Sequence, residues 1–160
     1  MSLVTIGMSH KTASLDVREK LAVDKNESQK ILKKLHSMPL VDEAFILSTC
    51  NRTELYIEIE DLKYVDNISN WLLRQKGLSI EDFENNIYSF SDSNVVRHAL
   101  NVASDLDSMV IGEPQILGQF KSAFLDAHNA GTIGKNLDRL FQYAFSTAKE
   151  VRTDTKIGLN

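Results

Sequence analysis

Cys50, the one cysteine of the chain, lies in the stretch FILSTCNRTELYIEIE, where an apolar run ends and a run that alternates apolar with acidic residues begins. This pattern predicts that the thiol lies at an exposed strand end, and loops that follow strands often carry functional side chains. Arg52 lies two residues further on, and a neighbouring cation favours the thiolate, the nucleophilic form of cysteine. Because free cysteines also serve as small buried hydrophobic residues, position alone leaves a reactive thiol and a packed one equally open.

A second group of polar residues lies in the segment DLDSMVIGEPQILGQ, residues 105–119. Pro114 marks the start of a helix there, and Gln115 and Gln119, four residues apart, would share one helix face. The free N–H groups of the first helical turn could bind a carboxylate beside them. A capped helix with a solvated face explains the same residues and is the commoner arrangement.

His98 lies with Val95 and Val102 on one stripe of a predicted helix. Such a histidine is more often a packed core residue than a catalyst, although an imidazole facing a cleft could transfer protons near neutral pH. The other histidines show no spacing typical of metal ligands, so no metal site is predicted.

The hydrophobic periodicity predicts the element order β-α-β-β-α-β, followed only by helices from residue 93 onward. This order is typical of an α+β, ferredoxin-like antiparallel sheet with helices on one face. We expect an α/β subdomain over residues 1–90 and a helical subdomain over residues 91–160. The stretch ELYIEIE, residues 54–60, predicts a half-exposed strand because its glutamates alternate with apolar residues.

The composition narrows the function classes. The chain has 160 residues, 42% of them hydrophobic, and a formal net charge of −4, which argues against broad nucleic-acid coating. A single cysteine excludes an internal disulfide and a cysteine-based zinc site. No apolar stretch approaches the roughly 20 residues that span a bilayer, and the start lacks the pattern of a signal peptide. A cytoplasmic location without membrane attachment is predicted.

Four motifs, in the order SHKTA, STCNRTE, LDSMVIGEPQILGQ and VRTDTKIG, closely resemble the glutamyl-tRNA reductase family, and the resemblance runs the length of the chain. Two departures stand out: Ser14 occupies a position where the family often has proline, and Asp105 one where glycine is common. The resemblance implies conversion of the glutamyl ester of tRNA into glutamate-1-semialdehyde with NADPH, a reaction that feeds the C5 route to tetrapyrroles.

The resemblance also implies roles for individual residues. Cys50 matches the family nucleophile, which attacks the ester carbonyl and forms a thioester that hydride then reduces. Arg52 would grip the side-chain carboxylate of the glutamate from an exposed loop, where substitution changes stability by only about 0.5 kcal/mol. His98 matches a family histidine important for activity, which implies proton transfer. The remaining substrate contacts implied are Thr49, Asn51, Ser108, Glu113, Pro114, Gln115 and Gln119.

No G-x-G-x-x-G motif follows a predicted strand, so no NADPH site is expected within these residues. In the family, an NADPH-binding domain and a dimerisation domain follow the KIG motif. We therefore expect residues 1–160 to be the catalytic domain alone, whose last helix, from about residue 135, begins the long connecting helix. Such a monomeric domain would form and hydrolyse the thioester without reducing it, whereas the full-length protein would be a homodimer that works with a downstream aminomutase.

Two other functions remain open. One is a cysteine esterase or acyltransferase that uses a Cys50–His98 pair and needs no tRNA. The other is a ferredoxin-like module that binds an amino acid without catalysis, in which Cys50 is merely packed.

Overall fold

The computed structural model describes residues 1–107 and 115–155. Its four described strands form one sheet in the order β2-β3-β1-β4, and every neighbouring pair is antiparallel. This is the predicted ferredoxin-like arrangement. The strands are β1 (Ser2–Ser9), β2 (Val41–Ser48), β3 (Arg52–Ile59) and β4 (Tyr88–Ser91).

Seven α-helices are described, and three lie in the part of the chain that follows β4. Short 3₁₀ turns precede α3 and follow α4. The helices are α1 (Leu15–Leu21), α2 (Lys25–His36), α3 (Val65–Gln75), α4 (Ile80–Phe83), α5 (Ser93–Ala103), α6 (Gln115–Ala130) and α7 (Lys135–Thr155). None of these described helices is both long enough and apolar enough to cross a membrane.

Local caps determine where the helices nearest to Cys50 begin. Ser14 occupies the N-cap of α1 and accepts a hydrogen bond from the backbone N–H of Val17. Serine, in place of the proline that is frequent in the family, therefore caps the start of α1. Asp24 begins α2 with a capping box, because its side chain accepts from the N–H of Glu27 and the Glu27 side chain accepts from the N–H of Asp24.

Helices cover both faces of the sheet, which corrects the prediction that the strand at residues 54–60 is half-exposed. Every residue of β3 is buried. Tyr56 packs against Phe120 of α6 and Phe141 of α7 on one face, whereas alternation turns Leu55 and Ile57 to the opposite face. The helices after β4 therefore bury the side of the strand that carries its acidic residues. The core residues on both sides of the predicted boundary at residues 90 and 91 form one cluster.

Glu43, a buried residue of β2, holds the first turn of α7. Its Oε1 accepts hydrogen bonds from the N–H groups of Gly134 at 2.7 Å and Leu137 at 2.9 Å, and its Oε2 accepts from the N–H of Asn136 at 3.1 Å. A Cβ atom at Gly134 would lie 2.7 Å from the carboxyl carbon of Glu43, so this contact requires glycine. A carboxylate at a helix N-terminus is also favoured by the helix dipole.

Asn136 adds a second connection between α7 and the sheet. Its side-chain amide donates to both carboxylate oxygens of Glu58 on β3, at 2.6 and 2.7 Å. Burial and the neighbouring Glu43 raise the pKa of Glu58 above its ordinary value. Asp42, Glu43 and Glu58 each bring a carboxylate oxygen within 4.8 Å of the others, but two of the three carboxylates already bind the start of α7.

We predict that Glu43→Ala lowers the free energy of unfolding by about 2 kcal/mol, because it leaves the first N–H groups of α7 without an acceptor. Urea denaturation followed by circular dichroism measures this change. Asp42→Ala is the matched control, since Asp42 is the exposed neighbour on the same strand, and it should change stability by less than about 0.5 kcal/mol. Equal effects of the two substitutions would contradict the capping role.

Candidate active site

Cys50 lies in the three-residue connection between β2 and β3 and is exposed, as the sequence predicts. Hydrogen bonds fix this connection: the N–H of Thr49 donates to the carbonyl of Arg52 at 2.7 Å, and the N–H of Asn51 donates to the Thr49 hydroxyl at 3.2 Å. The N–H of His10 donates to the Asn51 carbonyl at 2.9 Å. The thiol is therefore presented on a short, ordered loop, and the alternative of a packed cysteine is wrong.

Arg18 of α1 is a neighbour of Cys50 that the sequence analysis missed. Its Nε donates to the backbone carbonyl of Cys50 at 3.1 Å, and its NH1 group donates to the carbonyl of Ala13 at 2.8 Å. The contact joins residues 32 positions apart. No local pattern around Arg18 distinguishes it from an ordinary helix-surface arginine, so only the fold reveals it.

The position of Arg52 corrects the prediction of an exposed loop residue. Arg52 is the first residue of β3, and its side chain is 0% exposed. Its NH1 group donates to a carboxylate oxygen of Asp107 at 3.0 Å and approaches Glu54 at 3.5 Å, and its NH2 group donates to the backbone carbonyl of Asp107. Its Nε is buried without a hydrogen-bond partner in the described part of the chain.

Glu54, two residues along the same face of β3, is the centre of a buried polar cluster. Its Oε1 accepts a hydrogen bond from Tyr56 at 2.9 Å, and its Oε2 bonds both Tyr88 of β4 and Nε2 of His98. Gly7 of β1 makes room for the cluster, because a Cβ there would lie 2.8 Å from Cγ of Glu54 and 3.1 Å from the Tyr88 hydroxyl. The alternating pattern predicts a half-exposed strand at Glu54, and no local signal indicates this buried role.

The environment keeps Glu54 ionised. Burial alone would raise its pKa, but the hydrogen bond and charge of His98, the charge of Arg52 and the hydrogen bond from Tyr88 outweigh burial and hold the pKa below its ordinary value. Burial and the same carboxylate raise the pKa of Tyr56 and Tyr88, so both phenols stay protonated and donate. An ionised carboxylate only accepts hydrogen bonds, which assigns the proton on His98 to Nε2.

His98 has features of a packed core residue and of an imidazole that faces a cleft. Its side chain is 11% exposed, its ring lies 4.8 Å from that of Phe90, and it lines a small cavity of about 310 Å³ with Arg97 and Asn101. Its Nε2 is bound to Glu54. Within residues 1–107 and 115–155 no hydrogen bond joins His98 to Cys50, so the Cys50–His98 pair of the esterase alternative is not formed here.

Two residues of the SHKTA motif, His10 and Lys11, lie near Arg52 and Asp107. Lys11 donates to the second carboxylate oxygen of Asp107, and this bond, with the charge of Arg52, outweighs burial and lowers the pKa of Asp107. Burial and the charge of Arg52 lower the pKa of His10. The first motif, the cysteine motif and the start of the third motif therefore meet around Arg52.

The other predicted substrate contacts divide into two groups. Thr49 and Asn51 flank the thiol, while Gln115 and Gln119 are exposed on the first turns of α6. Gln119 lines a cavity of about 380 Å³ that also contains Ser48 of β2. Their roles toward a substrate stay predictions. Ser108, Glu113 and Pro114 lie outside the described residues.

Asp105 has a conformation that explains why glycine is common at this position in the family. Its φ is +62°, in the left-handed region, and its side chain is 0% exposed. Neither carboxylate oxygen has a hydrogen-bond partner in the described part of the chain. A residue of this kind carries both backbone strain and the cost of an unpartnered buried polar group.

We predict that Arg52→Lys lowers the free energy of unfolding by at least about 2 kcal/mol, since one ammonium group cannot contact both Asp107 and Glu54 as the guanidinium does. Urea denaturation gives the value. Arg74→Lys, at an exposed position on α3, is the control and should stay within about 0.5 kcal/mol of the parent. A change at Arg52 as small as that at Arg74 would restore the original expectation of an exposed side chain.

We predict that Asp105→Gly raises the free energy of unfolding by about 1 kcal/mol, because it relieves the strained backbone and removes the unpartnered carboxylate. Asp92→Gly separates the two causes. Asp92 also has a positive φ, +51°, but its side chain is exposed and accepts a hydrogen bond from the N–H of Leu3. Thermal unfolding of both variants should show the larger gain at position 105, where both causes apply; a loss at position 105 would contradict the explanation.

Comparison with known proteins agrees with the resemblance of the motifs. The family model described as glutamyl-tRNAGlu reductase, N-terminal domain, matches residues 6–155. The chain is 51% identical over 160 residues to a glutamyl-tRNA reductase of Pseudomonas syringae pv. syringae, covering 100% of this chain and 37% of that protein. It is 46% identical to the glutamyl-tRNA reductase of a Marinomonas species, with 100% and 38% coverage.

A solved structure, the glutamyl-tRNA reductase from Methanopyrus kandleri, superposes with a TM-score of 0.76 at 26% sequence identity. It covers 95% of this chain, which in turn covers 34% of that protein. The chain thus spans little more than a third of the length of the relatives it matches. On the match of the family model to nearly all of its residues, the chain belongs to the family of glutamyl-tRNA reductase N-terminal domains.

Proposed function

We propose that this chain carries the thiol chemistry of a glutamyl-tRNA reductase, in which Cys50 takes the glutamyl group from glutamyl-tRNA. The observation that supports this most directly is the exposed thiol on a short, hydrogen-bonded loop, beside a buried arginine that is held by carboxylates. The names of its relatives supply the substrate: each is a glutamyl-tRNA reductase.

The first step needs a nucleophile and a leaving group. The thiolate of Cys50 attacks the ester carbonyl, a carbon–sulfur bond forms, the carbon–oxygen bond to the terminal ribose breaks, and that ribose oxygen takes a proton. The product is a glutamyl thioester on Cys50. The ordered loop favours this step because Arg18 fixes the Cys50 carbonyl and thereby the direction in which the thiol points.

Arg52 supports recognition of the glutamate side chain. Its guanidinium is held by Asp107 and Glu54, and its buried Nε has no hydrogen-bond partner among the described residues. We propose that this donor binds the substrate carboxylate. A substrate carboxylate at this point would add a negative charge next to the carboxylates of Asp107 and Glu54. The ammonium of Lys11, which is paired with Asp107, would offset that charge. Thr49, Asn51, Gln115 and Gln119 complete the proposed substrate site among the described residues, and Ser108, Glu113 and Pro114 outside them.

His98 is proposed to act through Glu54. Its Nε2 is bound to the carboxylate that also contacts Arg52, so His98 helps to fix the position of that carboxylate and, through it, of the guanidinium. A direct proton transfer to the thiol would require the Nε2–Glu54 bond to break first. We therefore propose His98 as a positioning residue for Arg52.

The reduction would require NADPH, and we propose that NADPH is bound by the part of the relatives that lies beyond the matched region. Homodimer formation and contact with the aminomutase that consumes the semialdehyde are proposed for the full-length protein, in the cytoplasm. The chain on its own should then form the thioester and lose it slowly to water, which releases glutamate and the free tRNA.

The test uses acid-quenched mass spectrometry. We expect the peptide that contains Cys50 to gain the mass of one glutamyl group after incubation with glutamyl-tRNA, and NADPH to yield no aldehyde. Cys50→Ser should lose the thioester and slow deacylation at least about 100-fold, since a serine hydroxyl is hardly ionised at neutral pH. Glutaminyl-tRNA, which lacks the side-chain carboxylate, is the substrate control.

Two outcomes would count against this function. Undiminished deacylation by Cys50→Ser would remove Cys50 as the nucleophile. Equal rates with simple activated esters and with glutamyl-tRNA would favour the cysteine esterase instead.

A further inference from the structure

A cavity of about 380 Å³ opens at the free edge of β2, close to the cysteine loop, and we call it the edge pocket. Its walls are the start of α2 and the exposed side of α6. The residues that matter for its chemistry are Lys25, Ile46, Ser48, Gly118, Gln119 and Asp126. This volume falls within the range of small-molecule sites, and polar side chains form much of the lining.

The strand edge supplies backbone groups to the edge pocket. In an antiparallel pair, the N–H and C=O groups of alternate residues point away from the partner strand. Ala44 identifies the outward set, because its N–H donates to the carbonyl of Thr132 at 2.9 Å and its C=O accepts from the Thr132 hydroxyl at 2.7 Å. By the same alternation Ile46 and Ser48 turn their backbone N–H and C=O groups away from β3. Since β2 is an edge strand of the described sheet, these groups face the edge pocket.

Gly118 is the second observation that points to a ligand. It lies inside α6, where glycine is about 1 kcal/mol less favourable than alanine. Among the described residues nothing lies within 4 Å of the position that a Cβ would occupy, and no positive φ requires glycine there. Neither the backbone nor the packing of the residues that the structure describes explains this glycine, whereas a close approach of a ligand to the helix would.

We propose that the edge pocket binds the terminal adenosine of glutamyl-tRNA, an inference that rests on the proposed function. Adenine carries a donor, its amino group, next to a ring acceptor. The C=O of Ile46 and the N–H of Ser48, both turned to the same side, offer the complementary acceptor and donor. The adenine ring would lie flat against the bare backbone of Gly118.

The distance to the thiol agrees with this occupant. Ser48 precedes Cys50 by two residues, so their backbones lie at most about 7 Å apart, the reach of an extended chain. A ribose between the adenine and the ester carbonyl spans a gap of this order. Lys25 lines the pocket and pairs with Asp126 at 3.5 Å, and in this arrangement its ammonium would bind the phosphate that joins the adenosine to the rest of the tRNA.

The test compares three glutamyl esters that share one reacting carbonyl: 3′-O-glutamyl adenosine, 3′-O-glutamyl inosine and the trifluoroethyl ester. Inosine replaces the amino donor by a carbonyl, so the pair of backbone bonds is lost. We expect kcat/KM for the adenosine ester to exceed that for the inosine ester at least about tenfold, within the range of a bidentate base contact. Equal values for the two nucleoside esters would overturn the proposal.

Gly118→Leu places a side chain at the edge pocket. Its Cβ would meet no atom of the described residues within 4 Å, and leucine favours the helix. We expect this variant to fold, as urea denaturation will show, and its adenosine-to-inosine ratio to fall to about one. Asn129→Leu adds the same side chain at an exposed position of α6 outside the pocket and should keep the parent's ratio. A retained ratio in Gly118→Leu would overturn the proposal.

A binding measurement separates this inference from the thiol chemistry. Titration with 5′-AMP should shift the backbone amide resonance of Ser48 in the parent and not in Gly118→Leu, even in a Cys50→Ser background. If the trifluoroethyl ester is not cleaved while 5′-AMP still binds, the proposed thiol chemistry is contradicted, whereas adenosine binding in the edge pocket is supported. If NADPH shifts the same resonance at a lower concentration than 5′-AMP does, a cofactor adenosine is the occupant and the proposal is overturned.

Discussion

The buried carboxylate of Glu54 is the interaction on which the rest of the site depends. Moving an ionised carboxylate out of water is costly unless hydrogen bonds and opposite charge replace its hydration. Here Tyr56, Tyr88, His98 and Arg52 replace it, and they come from β3, β4 and α5. The cluster thereby allows helices to close over a strand that carries charge, and it fixes the guanidinium of Arg52 under the cysteine loop.

Much of the fold could be predicted from the sequence, because it rests on local signals. The alternation in β3, the caps of α1 and α2, and the change to a helical period after β4 depend only on neighbours along the chain. The exposed position of Cys50 follows from the same kind of signal, since the apolar run ends at polar residues just before the thiol.

The depth at which Arg52 and Glu54 lie could not be predicted in this way. Alternating glutamates look the same whether the face they occupy meets water or a later set of helices, and that choice is made by residues about 40 to 90 positions further on. The Arg18–Cys50 contact is hidden for the same reason. The strained Asp105 is a further case, because a single aspartate does not reveal its φ, and only the family's preference for glycine indicates it.

The contact between Glu43 and the start of α7 has a mechanical consequence. α7 has 21 residues, so it is about 30 Å long at 1.5 Å per residue. Phe141, Phe145 and Ala148 pack against the core along much of that length. Over that length, a tilt of about 10° at the first turn displaces the far end by about 5 Å. The three backbone N–H groups that donate to the Glu43 carboxylate, with the Asn136–Glu58 pair beside them, therefore fix the direction of α7 together with its core packing. Since the far end amplifies any error in the first turn, these few bonds help to set the position of the last described turn of α7 as well as the first.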